Sequence, residues 1–307
     1  MKFAFIRDLD EEERRKPRKD RIPVSLMCEV LDVSRSGFYA WLTRATSNRA
    51  EEDAELIAII THLHQEHEGR LGVDRLVVEL ARLGRRHSPK RVRRLARAAG
   101  LSCVHPRPYR ATTVRDDANS DGLVDLVGRD FVPDGANQLW FSDITYIRTW
   151  CGWAYLASII DGYSRKVVGW SVDRHMRTSL VTDALKMAID RQRPGIGDVV
   201  IHSDRGSQYT SSEFRALALA NGIIPSVGHT GICFDNAMAE SFNATIKKEL
   251  IHLHTWPTLS KVKKEVFRYI EVYYNRKRPH TGIGYLTPCE MEHKTRQELD
   301  EVAFQAA

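Results

Sequence analysis

The segment "QLWFSDITYIRTWCGWAYLASIIDGYSRKVVGWSVD" (138–173) decides the fold. Three runs rich in β-branched and aromatic residues, "QLWFSDITYIRT", "WAYLASIID" and "KVVGWSVD", are parted by Gly-containing turns at Cys151-Gly152 and Asp161-Gly162. That is the pattern of a β-meander. Further along, the helical stretch "SLVTDALKMAID" leads to the strand "DVVIHSD", and a second, "SSEFRALALANG", leads to "IIPSV". Hairpins followed by crossovers imply an α/β protein with a mixed five-stranded sheet and helices on its faces.

In the first run, a period of two places Leu139, Phe141, Asp143, Thr145 and Ile147 on one face. Asp143 therefore interrupts an apolar row. Burying its charge is costly unless compensated, so a cationic neighbour is expected, the alternative being an edge strand whose Asp143 faces solvent. Asp204 ends the apolar run of "VVIHSDRGSQYTS" (199–211) and is followed by Arg205, Gly206 and Gln208. Alone, such an aspartate starts a turn or caps a helix. Glu240 lies in "FDNAMAESFNATIKKEL" (234–250), a helix for which Asp235 or Asn236 is a cap. Its apolar face is read as Met238, Phe242, Ile246 and Leu250, and the opposite face as Glu240, Asn243 and Lys247.

The thirty-five residues between Asp204 and Glu240 give enough chain to return the glutamate helix beside the end of the aspartate's strand. If Asp143 belongs to a central strand of that sheet, the three carboxylates meet. Hard oxygen donors of this kind suit two Mg²⁺ or Mn²⁺ ions, which is what in-line phosphoryl transfer uses. Lys247, two turns beyond Glu240, is placed to hold a substrate phosphate, with Lys248 next to it.

The charge distribution points to a polyanion. Residues 1–118 carry 24 Lys and Arg against 18 Asp and Glu, while residues 119–307 carry 22 of each, so the net +6 comes entirely from the first part. The stretch 82–115 has eleven basic residues and no acidic one, which suits phosphate binding by counterion release. Within it Ser88-Pro89 opens a helix closed by Gly100, with Val92, Leu95, Ala96 and Ala99 on one side and Lys90, Arg93, Arg94 and Arg97 opposite. This helix can pack inward and touch DNA outward. Two short helices in 24–44, meeting at Asp32-Val33 with Ser34 as the second cap, have the shape of a helix-turn-helix, and another helix begins near Ala50 with Leu56, Ile60 and Leu63 on one side.

Other chemistries are disfavoured. The five cysteines (28, 103, 151, 233 and 289) form no CxxC pair, and His62, His64 and His67 lack a matching cysteine pair, so they read as helix-surface histidines rather than zinc ligands. The apolar run "WAYLASII" (153–160) is too short for a membrane helix, and "MKFAFIRDLDEEERRK" turns charged too early for a signal peptide, so a cytoplasmic, DNA-associated location is expected. Tyr273 and Tyr274 sit in a helix, "SKVKKEVFRYIEVYYNRKRPH", whose inward stripe is Val262, Val266, Tyr269 or Ile270, and Tyr273. They read as packing residues rather than nucleophiles.

The blocks "WFSDITYI", "HSDRGSQYTS" and "DNAMAESFNATIKKEL", followed by "YNRKRPHTGIGYLTP", resemble the downstream-frame (OrfB-type) transposases of two-frame bacterial insertion sequences, within the retroviral-integrase (DDE) superfamily. The resemblance spans about residues 24 to 292 and implies a ribonuclease-H-like core with Asp143, Asp204 and Glu240 as catalytic, metal-binding residues. It implies cleavage and strand transfer of double-stranded DNA at element ends, with water or a DNA 3′-hydroxyl as nucleophile, and it leaves Arg205 and Gln208 to serve the adjacent DNA. The region 51–108 looks like the preceding helix-turn-helix. Where many relatives have Arg or Lys before the glutamate helix, this chain has His229 and Thr230, which puts a phosphate contact from that loop in doubt. The expected organisation is a helical segment (1–50), a basic helix-turn-helix region (51–115), a linker (116–135), the catalytic core (136–252) and a C-terminal basic helix and tail (253–307). A homo-oligomer on DNA is expected, with an upstream-frame protein as partner or fusion. A nuclease without strand transfer and a non-catalytic DNA-binding regulator are the alternatives.

Overall fold

The computed structural model describes residues 1–43, 47–104, 133–227 and 237–306. Most of the 116–135 linker, Arg107, Arg110 and Arg115 of the basic stretch, and His229, Thr230, Asp235 and Asn236 lie outside these. The chain forms two compact units, one of residues 1–63 with 90–101 and the other of 64–89 with 102–307.

In the first unit α1 (Lys2–Glu13), α2 (Val24–Val30) and α3 (Arg35–Leu42) pack through Ile6, Met27, Cys28 and Phe38. The expected turn is present. Asp32 takes a left-handed conformation (φ 49°), and Ser34 Oγ accepts from the Gly37 amide at 2.8 Å to cap α3. Helix α4 (Asn48–Glu66) begins in this unit, with Leu56 and Ile60 buried as the periodicity implies. Helix α5 (Val73–Arg82) belongs to the second unit, and α6 (Pro89–Ala98) ends at Gly100, whose φ of +68° suits a glycine.

Strands β1 (Leu139–Thr149), β2 (Gly152–Asp161) and β3 (Val167–Asp173) form the meander, and β4 (Val200–Ser203) and β5 (Ile224–Val227) follow as crossovers. The sheet order is β3-β2-β1-β4-β5, antiparallel on the meander side and parallel from β1 through β5. Helices α7 (Thr178–Gln192) and α8 (Ser212–Ala220) cover the face built from Trp140, Ala157, Ile159, Val168 and Ile201. Gly169 permits that cover, since a Cβ there would collide with the Ala184 carbonyl oxygen of α7. The other face, with Phe141, Ile147, Leu156 and Val172, lies under α9 (Ala237–Glu249) and α10 (Leu259–Phe267).

Past α10 the chain winds as a π-helix over Arg268–Tyr274 before α11 (Pro288–Ala306). The wider turn buries Tyr269, Ile270, Tyr273 and Tyr274 together, where a plain α-helix stripe would choose between Tyr269 and Ile270. Burial pushes the Tyr274 hydroxyl up to about 12 and Tyr273 higher still, consistent with packing rather than nucleophilic roles. His67 corrects the surface reading of the histidines: it is buried against Tyr273, 5.8 Å between ring centroids, because the chain turns inward after α4.

Candidate active site

Register brings the first two acids together. Strand β4 pairs with β1 only from Leu139↔Val200 to Ser142↔Ser203, so Asp143 and Asp204 each follow the last pair of two neighbouring parallel strands. Such strands run roughly 5 Å apart, which leaves both carboxylates at the same level beyond the end of β4. The turn after Asp204 is anchored beneath them, because the Tyr209 hydroxyl and Ser142 Oγ lie 2.9 Å apart in a buried hydrogen bond. Gly206 completes the turn by donating its amide to Asp204 Oδ1 at 3.0 Å. A Cβ on Gly206 would sit only 3.0 Å from that oxygen and crowd it.

Helix α9 supplies the third acid and one group that the sequence reading misplaced. Asn243 was expected on the polar face with Glu240 and Lys247, yet it is buried and its Nδ2 donates to Asp143 Oδ2 at 2.8 Å. The expected cation beside Asp143 is therefore an amide, joined by the Ile144 backbone N–H, which donates to Oδ1 at 2.8 Å. Neutral donors leave the carboxylate charge uncompensated, in keeping with the raised pKa of Asp143. The apolar side of α9 is otherwise as read, with Phe242, Ile246 and Leu250 buried and Met238 partly so.

Electrostatics ties the three acids into one group. Burial, then the nearby Asp204 charge, raises Asp143 from the usual carboxylate range to about 7, with Glu240 adding to the rise. Asp204 is pushed up by the protein packed around its carboxylate, although the residue keeps a solvent-facing side. Glu240 is raised by partial desolvation and by Asp204. Among the described residues no salt bridge relieves any of the three. Three hard oxygen donors without a cation are the donor chemistry that suits Mg²⁺ or Mn²⁺. The full convergence expected from the sequence is not reached, however: among the described residues no three His, Cys, Asp or Glu side chains close around a common metal point. Asp143 instead directs its oxygens to Asn243 and Ile144.

The basic residues fall into distinct settings. Lys247 lies with its ammonium 5.0 Å from the centre of the Tyr146 ring, and Lys248 is exposed next to it. Gln208 donates its amide to the Met176 carbonyl at 2.9 Å, so that hydrogen is committed within the protein, while Arg205 stands in the turn after Asp204. In the first unit Lys90, Arg93 and Arg97 are exposed on α6. Arg94 pairs with Asp53 at 2.5 Å, which Arg91 also holds, so the outward basic face is partly neutralised from within. Asn243 and Tyr209 were missed because neither residue type signals a role by itself.

An Integrase core domain family matches residues 133–233, a second family of that description matches 221–288, and an HTH-like domain family matches 51–109. The chain is 36% identical over 271 residues to the insertion element IS600 uncharacterized 31 kDa protein of Shigella sonnei, covering 88% of this chain and 99% of that one. It is also 36% identical over 300 residues to transposase InsF for insertion sequence IS3A of Escherichia coli (strain K12), covering 96% and 99%. Among solved structures, the HTLV-2 integrase catalytic core domain in complex with magnesium aligns at 19% identity and a TM-score of 0.41, over 52% of this chain and 99% of that one.

Proposed function

The chain belongs to the insertion-sequence DNA transposases of the IS3 type, with an integrase core and an HTH-like domain, and we propose that Asp143, Asp204 and Glu240 are the catalytic acids with which it cleaves and joins DNA. The observation that carries this assignment is the β1/β4 register, which sets two carboxylates level where β4 ends beside the middle of β1. Glu240 lies near enough for its charge to raise the pKa of Asp143. When bound, divalent ions would activate the attacking oxygen and stabilise the leaving one. Asp143 and Asp204 would hold one ion and Glu240 would complete the set, two ions in all. Asn243 keeps Asp143 oriented, and the Tyr209 anchor keeps Asp204 at the same level. Lys247, with Lys248, Arg205 and Gln208 nearby, lies on the DNA side of the acids, and Lys90, Arg93, Arg94 and Arg97 give the HTH-like region its phosphate-facing charge. Double-stranded DNA is the partner, bound by a homo-oligomer, with an upstream-frame product as partner or fusion. Among the described residues no helix is long and apolar enough to cross a membrane, and a cytoplasmic, DNA-associated location follows from the substrate.

The deciding experiment incubates purified chain, alone and joined to the upstream frame, with labelled duplexes from the element's own ends and a target plasmid in Mg²⁺. Joined product is expected. Cleaved ends without joined product would favour the nuclease reading, and neither product would favour a non-catalytic regulator.

The carboxylate cluster also sets a pH dependence. Asp143 titrates near 7 in the folded chain against 3.8 ordinarily. Its contribution to stability is therefore fully present below about pH 4 and is lost as pH rises through about 7. A divalent ion prefers the charged form, so Mg²⁺ is expected to raise the melting temperature more at pH 8 than at pH 6. Asp143→Asn should melt higher than wild type at pH 8 without metal and lose most of the Mg²⁺ shift. An equal Mg²⁺ shift at both pH values, or an undiminished one in the variant, would contradict the assignment. Differential scanning fluorimetry reads all four conditions.

A further inference from the structure

We propose that the end of the β1–β2 hairpin is a stacking platform for unpaired nucleotides of DNA, lying beside the acids. Because β4 ends at Ser203, the edge of β1 beyond Ser142 has no strand partner there among the described residues. Along that stretch Tyr146 and Trp153 stand 52% and 44% exposed, packed edge to face with ring centroids 5.5 Å apart. Each ring carries a cation: Lys247 lies 5.0 Å from the Tyr146 centre and the Arg148 guanidinium 5.4 Å from that of Trp153. Arg148 is the one charged residue between positions 144 and 160, so this end of the hairpin is positive; the acids of its two strands, Asp143 in β1 and Asp161 in β2, lie outside that stretch. The tip is fastened, since the Trp150 N–H donates to the Trp256 carbonyl at 3.0 Å. Large exposed aromatics that each carry a cation fit nucleobases and phosphates better than an apolar protein face.

Two independent rulers set the distance from the chemistry. Tyr146 is three residues beyond Asp143 along a strand, about 10 Å, with its side chain on the opposite face yet within reach of Lys247 from α9, and Lys247 is seven residues beyond Glu240 along a helix, also about 10 Å. At 3.4 Å per base along a strand, that separation corresponds to roughly three nucleotides. The inference takes from the functional reading only that the ligand is DNA. It adds that the end must be opened by about that many nucleotides to reach the platform.

The test measures fluorescence anisotropy of the full chain with one duplex sequence in two forms, blunt or ending in three unpaired nucleotides, in EDTA so that no cleavage occurs. Trp153→Ala and Tyr146→Ala are expected to weaken binding to the opened end by about tenfold each, the scale of losing one base–aromatic stack. Binding to the blunt duplex should change less than about threefold, and Trp153→Phe should retain most of the preference. Equal losses on both duplexes, or no loss on the opened one, overturn the proposal. So does a change of oligomeric state in Trp153→Ala by sedimentation, which would mark a face between copies. Circular dichroism confirms that each variant is folded. Failure of strand transfer with the opened-end preference intact would count against the catalytic assignment alone.

Discussion

Replacing Asp204 with asparagine is expected to lower strand cleavage and strand transfer by at least about a thousandfold, while leaving the fold and DNA binding in place. Loss of a ligand that holds a catalytic ion removes several kcal/mol of transition-state stabilisation, and each 1.36 kcal/mol is a factor of ten. Stability should not suffer. The folded protein already raises the pKa of this carboxyl through the atoms packed around it, so removing the charge removes a cost. The remaining contact, from the Gly206 amide to Oδ1, can be accepted by the side-chain oxygen of asparagine.

A merely structural aspartate would show the reverse, with lost stability and activity falling in proportion. Asp204→Cys sharpens the distinction. A thiolate is a poor partner for Mg²⁺ and a better one for softer ions, so partial recovery of cleavage in Mn²⁺ over Mg²⁺ is expected from a direct ligand. Cleavage within tenfold of wild type in Asp204→Asn, measured by single-turnover assay on labelled ends, would remove Asp204 from the mechanism.

Most of the sheet could be read from the sequence because its strands announce themselves by local means. The runs around Phe141, Leu156 and Val168 are β-branched or aromatic, and they are bounded by turn residues. Strands β1, β3, β4 and β5 lie inside the predicted ones, β4 three residues shorter and β5 one, while β2 begins one residue early at Gly152. Asp143 and Asp204 were legible as anomalies, a charge in an apolar row and a charge at the end of one. Their common level was not, because a parallel register depends on pairing across 61 residues of chain, and no local pattern records it. Asn243 was misassigned for a related reason. A helical wheel separates polar from apolar residues, but it cannot tell that one polar residue is turned inward to satisfy an acid on another element. Glu249 and Arg278 were invisible in the same way, one within a helix end rich in charge and the other within a basic run.

Those two residues carry the second large effect: Arg278→Ala is expected to destabilise the second unit by about 3–5 kcal/mol, the usual consequence of leaving one partner of a buried ion pair unpaired. Glu249, the last residue of α9, is buried, and Arg278 meets it at two points, Nε to Oε2 at 2.9 Å and Nη2 to Oε1 at 2.8 Å. The Tyr269 hydroxyl donates to Oε2 at 2.8 Å. Arg70 donates Nε to the Glu249 backbone carbonyl at 3.0 Å while lying 4.6 Å from the centre of the Tyr273 ring. Despite its burial, the Arg278 guanidinium is raised further above its ordinary range by the Glu249 charge. Removing Arg278 leaves that carboxylate desolvated against two tyrosines, with Arg75 3.7 Å away as a weaker substitute. Arg278→Lys keeps the charge but loses the two-point geometry, and it should fall between wild type and Arg278→Ala in urea unfolding. The paired change Glu249→Leu with Arg278→Met should recover most of the loss, because a buried ion pair contributes little net stability over an apolar pair of similar volume. Glu240 rides on the same helix nine residues earlier. If this clamp sets the seat of α9, the paired variant should fold yet cleave DNA more slowly than wild type. Full activity in that variant would show that the apolar face of Phe242 and Ile246 alone positions the glutamate.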